Sequence, residues 1–158
     1  MNSNLPLLLA FAIGGVAGLR AMTAPAVVAW AAHLGWLNLQ GSHLAFMGSK
    51  WAVAIFTFAA LGELVNDQLP KTPPRTDPGP LIARIVMGGL SGACIVTAVG
   101  YSIWLGAVLG GMGGIAGAFA GYRARVGLVR ALRVPDPVIA VPEDLLAIGL
   151  GLLLVSRF

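Results

Sequence analysis

Residues 148–155 read Ile-Gly-Leu-Gly-Leu-Leu-Leu-Val, an unbroken apolar run near the end of the chain. A second run, Leu-Leu-Leu-Ala-Phe-Ala, occupies residues 7–12. Strands of an outer-membrane β-barrel alternate apolar and polar residues, whereas a helix that crosses lipid can be apolar on every side. These two runs therefore predict membrane-spanning helices rather than strands.

The composition of the whole chain agrees with this interpretation. Of its 158 residues 58% are hydrophobic and 10% charged, and the mean hydropathy is +0.87. Soluble domains carry about 25% charged residues, so this chain has too few to cover a water-facing surface. The length predicts one all-α transmembrane bundle of about five helices, a single domain over residues 1–158. We expect the lipid bilayer as its surroundings and no nucleic-acid partner, since no soluble domain remains to bind one.

The first apolar stretch, residues 5–37, is too long for one ordinary span at 1.5 Å per residue. Because Arg20, Thr23 and Pro25 interrupt it, we predict a kinked or broken first helix. No basic residue precedes it as in a secretory signal, so we expect it to be retained. Further helices are predicted at 50–69, 81–99, 103–122 and 142–157. The segment Pro70–Pro80 holds five prolines and predicts a rigid extended cap.

The basic residues predict the orientation of the chain. With five spans, one side collects Lys71, Arg75, Arg84, Arg123, Arg125, Arg130 and Arg133. The positive-inside rule places this side, with Asp77 in the same proline-rich loop, in the cytoplasm. The N-terminus then also lies in the cytoplasm, unless residues 5–37 cross twice, which moves it outside. The predicted location is the inner (cytoplasmic) membrane of the cell, as a multi-pass protein.

A glycine pattern recurs along the chain. Gly14-Gly15-Val16-Ala17-Gly18 is followed by a related segment, Gly88–Gly92, 74 residues later, and Gly113–Gly117 is a partial third copy. Small residues at this spacing let membrane helices approach closely, which is one interpretation. The other is a duplication with halves 1–74 and 75–158, as in many transporters. We also expect the bundle to form a homo-oligomer.

Several polar residues lie within segments whose hydropathy predicts membrane-spanning helices. Glu63 and Asp67 are one turn apart on the second predicted helix, with Asn66 beside them, and Arg20 interrupts the first stretch. A lone cation there needs a counter-charge. Glu63 is the first candidate, and Asp67 and Glu143 are alternatives. Such a pair either fixes the helices or lines a path for an ion or an anionic head group.

Two further segments allow both structural and functional interpretations. Pro142-Glu143-Asp144 suits the first turn of the last helix, but it could also form a site at a broken helix. Arg123, Arg125, Arg130 and Arg133 set the topology of the chain or bind anionic lipid head groups.

Known catalytic patterns are missing from the sequence. It contains no GxxxxGK[ST], HExxH or GxSxG, so we predict no enzyme activity and no cofactor. The single Cys94 cannot form an intrachain disulfide. His33 and His43 have no carboxylate or cysteine at metal-binding distance in sequence, so we predict no metal site.

Three segments carry a family resemblance: Gly18–Ala21 (GLRA), Gly62–Pro70 (GELVNDQLP) and Pro142–Ala147 (PEDLLA). In this order they resemble the DUF4126 family of bacterial integral membrane proteins, over nearly the whole chain. The resemblance implies a membrane protein and supplies no activity. In the family the second motif has an acid and a lysine before the proline, whereas this chain has Asp67-Gln68, so a cation at position 68 is not carried over.

Two functional hypotheses remain. The first is a small transporter or channel, in which intramembrane polar residues bind an ion or substrate: Arg20, Thr23, Glu63, Asn66, Asp67, Glu143 and Asp144. The second is a scaffold or lipid-binding accessory protein, in which the same charges only hold the helices together. A small ion or an anionic lipid is the ligand that either hypothesis allows.

Overall fold

The computed structural model describes residues 4–66 and 74–158, except the side chain of Pro137. In these ranges the chain is helical and has no β-strand. The six α-helices are α1 (Leu5–Leu19), α2 (Thr23–His33), α3 (Lys50–Asn66), α4 (Pro78–Thr97), α5 (Ile103–Leu132) and α6 (Asp136–Val155). A short 3-10 helix, Ala45–Gly48, precedes α3.

The predicted count of five helices is therefore wrong by one. The first apolar stretch contains two helices, α1 and α2, separated by residues 20–22. Arg20, the residue that follows α1, has extended backbone angles (φ −139°, ψ 108°). The backbone thus leaves the helical conformation at the first charged residue of the stretch.

Three predicted helix boundaries also need correction. The extended cap predicted for 70–80 is wrong at its end, because Pro78 and Pro80 lie in the first turn of α4. Proline is tolerated there since the first N–H groups of a helix have no intrahelical acceptor. α5 continues through the arginine-rich segment to Leu132. α6 begins at Asp136, so Pro142 lies inside that helix rather than at its start. Residues 70–73 lie outside the described ranges.

Helices α1, α4 and α5 pack most extensively and form the centre of the bundle. Their contacts are backbone to backbone at glycines. A Cβ atom at Gly14 would lie 2.0 Å from the Gly110 carbonyl oxygen, and one at Gly110 would lie 2.1 Å from that of Gly88. Glycine at these crossings brings the helix axes closer than any other residue allows. The predicted close-packing role of Gly14 and Gly88 is therefore seen directly, whereas the duplication stays a prediction.

The six helices alternate in direction. α1 and α4 are antiparallel, because Gly14 packs on Gly88 while Gly18, one turn later, meets Arg84. α2 and α3 are antiparallel in turn. The C-terminal ends of α1, α3 and α5 consequently lie at the same end of the bundle as the N-terminal ends of α2, α4 and α6. We call this the charged end.

Among the residues that the structure describes, three helices are long and apolar enough to cross a membrane: α4, α5 and residues 138–155 of α6. α1 is a shorter apolar helix. Large side chains such as Trp51, Phe58 and Trp104 are more than 70% exposed, a distribution that suits contact with lipid rather than water. α1 and α2 measure about 22 and 16 Å by helical rise, short of the hydrocarbon core of about 30 Å.

Candidate functional site: an ion-pair cluster at the charged end

The break between α1 and α2 leaves backbone groups without intrahelical partners, and two charged side chains bind them. The Glu63 carboxylate accepts hydrogen bonds from the N–H groups of Ala21 and Met22, each at 2.8 Å. Arg84 Nε donates to the Gly18 carbonyl oxygen at 3.1 Å. An anion therefore stabilises the start of α2 and a cation the end of α1, as the helix dipoles favour.

Arg84 and Glu63 also lie next to one another. Arg84 Nη2 is 3.7 Å from Glu63 Oε1, and Arg84 Nη1 donates to the Pro80 carbonyl oxygen at 3.1 Å. Both side chains are largely buried. The pair connects α3 and α4 to the break in the first stretch.

Arg20, at the break itself, is completely buried. Its Nε donates to Asp144 Oδ1 at 2.5 Å, and its Nη2 contacts the same oxygen. Asp144 is the ninth residue of α6, about 12 Å along that helix from its first residue by helical rise. Burying a charge this far along an apolar helix is costly unless the charge is paired, and this pairing meets that requirement.

A second group of ion pairs lies nearer the ends of α5 and α6. Arg75 donates to both carboxylate oxygens of Glu143, at 2.5 and 3.0 Å. Arg125 donates to both oxygens of Asp136 and lies 3.5 Å from Glu143 Oε2. Gly121 makes room for this group, since a Cβ there would lie 2.8 Å from Arg75 Nη1.

Asp136 lies before the membrane-spanning part of α6 and is mostly exposed. Hydrogen bonds from the Arg125 guanidinium hold the pKa of its carboxyl below the ordinary range, against a smaller opposing effect of burial, and the charge of Arg75 adds to the lowering. A lowered pKa means that the charged carboxylate favours the folded chain. This contribution is present above the unfolded pKa and is lost as the pH falls through the folded pKa.

We call these residues together the ion-pair cluster: Arg20, Glu63, Arg75, Arg84, Arg125, Asp136, Glu143 and Asp144. Helices α3, α4, α5 and α6 contribute side chains to it, and the adjoining ends of α1 and α2 border it, so residues far apart in sequence meet there.

The structure corrects the predicted partner of Arg20. Glu63, the first candidate, is directed to backbone N–H groups and Arg84, and Glu143 is bound to Arg75. Asp144 holds Arg20 instead. The other alternative, Asp67, lies outside the described residues, as does Lys71.

The remaining predicted site residues lie around the cluster rather than in it. Thr23 is buried as the first residue of α2, and Asn66 is exposed at the end of α3. Asp77 is the exposed residue before α4. Arg123, Arg130 and Arg133 are exposed on and after the last turns of α5. The described residues contain no group of three or more His, Cys, Asp or Glu side chains that could hold a metal ion.

Sequence reasoning missed the role of Arg84. It was counted only as a topology determinant, although it is the only charged residue of α4. A lone arginine seven residues into an otherwise apolar helix is the signal that could have found it, since such a cation needs partners.

Two cavities lie beside the cluster, between α5 and α6. The first, about 250 Å³, is lined by Leu19, Gly121, Arg125, Pro142, Glu143 and neighbouring apolar residues. The second, about 320 Å³, is lined by residues of α1, α5 and α6, among them Gly15, Gly117 and Leu154. A third cavity of about 520 Å³ lies near His33 at the opposite end. Arg20, Glu63 and Asp144 line none of these three.

The fold and the cluster define a class: a small helical membrane protein whose helix ends are tied together by buried ion pairs. The chain belongs to a family described as a domain of unknown function (DUF4126), whose profile matches residues 7–156. Neither a curated protein nor a solved structure matches the chain.

Proposed function

We propose that the protein is a small transporter of the cytoplasmic membrane and that the ion-pair cluster is its gate on the cytoplasmic side. The observation that carries the proposal is the position of Arg20. This buried cation sits at a break between two short helices and is held by an acid from another helix, α6. Intramembrane charges at broken helices are a recurring feature of transport sites.

The contacts of α6 suit a moving element. α6 packs more loosely against α5 than against α1 and α2, and the two cavities separate it from α5. At the charged end three ion pairs hold α6: Arg20 to Asp144, Arg75 to Glu143 and Arg125 to Asp136. Ion pairs can open and close between two discrete states that differ by a few kcal/mol, in which the minor state is populated at roughly 0.1–10%.

Solvent access to a buried position tests the gate without knowledge of the substrate. Ala147 is completely buried one turn after Asp144 on α6. Ala147→Cys is introduced with Cys94→Ala and reconstituted in vesicles of phosphatidylethanolamine and phosphatidylglycerol. We expect a membrane-impermeant methanethiosulfonate reagent to modify this cysteine from the cytoplasmic side. We expect the additional substitution Arg75→Ala to speed modification at least tenfold, because it removes one bond that closes the gate.

The native Cys94 supplies the control for general loosening, since it is completely buried in α4. In the otherwise native chain, with and without Arg75→Ala, Cys94 should stay unmodified over the same period. If Ala147→Cys reacts no faster than Cys94 in either background, the cluster is a permanent lock. The chain then fits the second hypothesis, a scaffold without transport.

A further inference from the structure

The two cavities between α5 and α6 form one lateral groove. Both are lined by Leu19, and they follow one another along the same two helices. The groove runs from Glu143 at the charged end to Leu154 on α6. By helical rise this is about 16 Å, close to half of a hydrocarbon core of about 30 Å. The groove therefore follows α6 through about two thirds of its membrane-spanning residues 138–155.

The groove begins beside charged residues and is apolar along its length. At the charged end Arg125 and Glu143 are among the lining residues, although the surface that faces the groove there is almost entirely apolar. Farther along α6 the lining is aliphatic and small, with Ala12, Gly15 and Val16 of α1 as the floor and Leu150 and Leu154 of α6 as one wall. An apolar channel that begins beside charged residues matches a molecule with a hydrocarbon tail inside the channel and a polar head outside it.

We infer that this groove binds one anionic phospholipid of the cytoplasmic leaflet, with an acyl chain along α6 and the phosphate at the exposed Arg123 and Arg130. The charged end has an excess of positive charge, because the exposed residues Arg123, Arg130 and Arg133 surround the last turns of α5. Cations at the membrane surface attract anionic lipid head groups. A second copy of this chain would instead bring like charges together, which disfavours it as the occupant.

Gly15 offers a way to block the groove without disturbing the fold. A Cβ atom at Gly15 would meet nothing within 4 Å, although the residue lines the groove. Gly15→Leu therefore places an isobutyl group in the acyl-chain channel. Gly149→Leu is the matched control, because a Cβ at Gly149 also meets nothing within 4 Å and the residue is not among those lining the groove.

The test is native mass spectrometry of delipidated protein after addition of dioleoyl phosphatidylglycerol or dioleoyl phosphatidylcholine. We expect one bound phosphatidylglycerol and at least tenfold weaker binding of phosphatidylcholine. Gly15→Leu should weaken phosphatidylglycerol binding at least tenfold, and Gly149→Leu should leave it unchanged. Arg123→Gln together with Arg130→Gln should bring the two lipids to equal binding.

Three results would overturn the inference. Unchanged lipid binding by Gly15→Leu would show that the chain does not enter the groove. Equal binding of both lipids by the unaltered protein would remove the anionic preference. A dimer that Gly15→Leu converts to a monomer would make the groove an interface between copies. The inference does not rest on transport: lipid binding is read by mass and gating by Ala147→Cys modification, so either can fail while the other stands.

Discussion

The Arg20–Asp144 ion pair adds little net stability to the folded protein, although the loss of one partner alone is strongly destabilising. Two charges buried together roughly cancel the cost of their own desolvation, and an apolar pair of similar size is often as stable. Removing only one partner is different, because it leaves an uncompensated charge in an apolar environment. The sequence identified both residues as anomalous, but the pairing depends on how α6 lies against the break.

This asymmetry gives a prediction for stability. Arg20→Met should destabilise the protein by about 3–5 kcal/mol, since Asp144 is then buried without the Arg20 guanidinium. Adding Asp144→Leu to Arg20→Met should recover much of the loss, because both charges of this pair are then removed. The measurement is thermal unfolding in detergent, with the exposed Arg157→Met as the control that changes little. A double variant no more stable than Arg20→Met would show that the pair is not the cause.

At the scale of the elements, glycine decides which helices form the centre. α1, α4 and α5 each present glycines at their crossings, and the closest approaches join Gly14, Gly88 and Gly110. In a membrane no hydrophobic effect drives helices together, so close backbone packing supplies the attraction. α6 has two glycines: a Cβ at Gly149 would meet nothing within 4 Å, and one at Gly151 would meet only side chains. This difference fits its looser packing.

Two glycine-to-alanine substitutions distinguish the effect of helix packing on stability from the effect of helix propensity. Gly110→Ala should lower the stability by about 1–3 kcal/mol or more, because its Cβ would lie 2.1 Å from the Gly88 carbonyl oxygen and the backbone must shift. Gly149→Ala meets no atom and should be neutral or stabilising by up to about 1 kcal/mol. Melting temperatures in the same detergent compare the two. Equal effects of both changes would contradict the proposed role of the glycine crossings.

At the scale of the whole molecule, the alternation of six helices fixes where the chain ends lie. The five-span topology expected from the sequence is replaced by one in which Leu5 and Val155 lie opposite the charged end. This agrees with the alternative in which residues 5–37 form two passes, although α1 and α2 are each shorter than an ordinary span. The loop before α4 and the α5–α6 turn remain together, as the basic residues predicted.

Cysteine labelling of intact cells tests this topology in a Cys94→Ala background. Asn4→Cys and Arg157→Cys should react with an impermeant maleimide added outside. Asp77→Cys and Arg133→Cys should react only after the cells are made permeable, since both lie at the charged end. An Asn4→Cys that needs permeabilisation while Arg157→Cys does not would favour five spans.

The sequence by itself determined the class of the protein and most of its anomalous residues. Long apolar runs are typical of membrane-spanning helices, because a helix satisfies its backbone hydrogen bonds within lipid. Charged residues within such runs stand out in the sequence, because burying a charge in lipid is costly. It predicted a kinked or broken first helix near Arg20 without deciding between the two, and it missed Arg84 as a partner. Local patterns carry no information on which distant side chains meet.

The tertiary structure decided the partners. The glycine contacts fix the position of α1 along the axes of α4 and α5. In that position Arg84 lies at the end of α1. The direction of α6 then brings Asp144 to Arg20 and leaves the groove beside α5. These outcomes depend on the packing of helices from both halves of the chain, so no window of sequence could specify them.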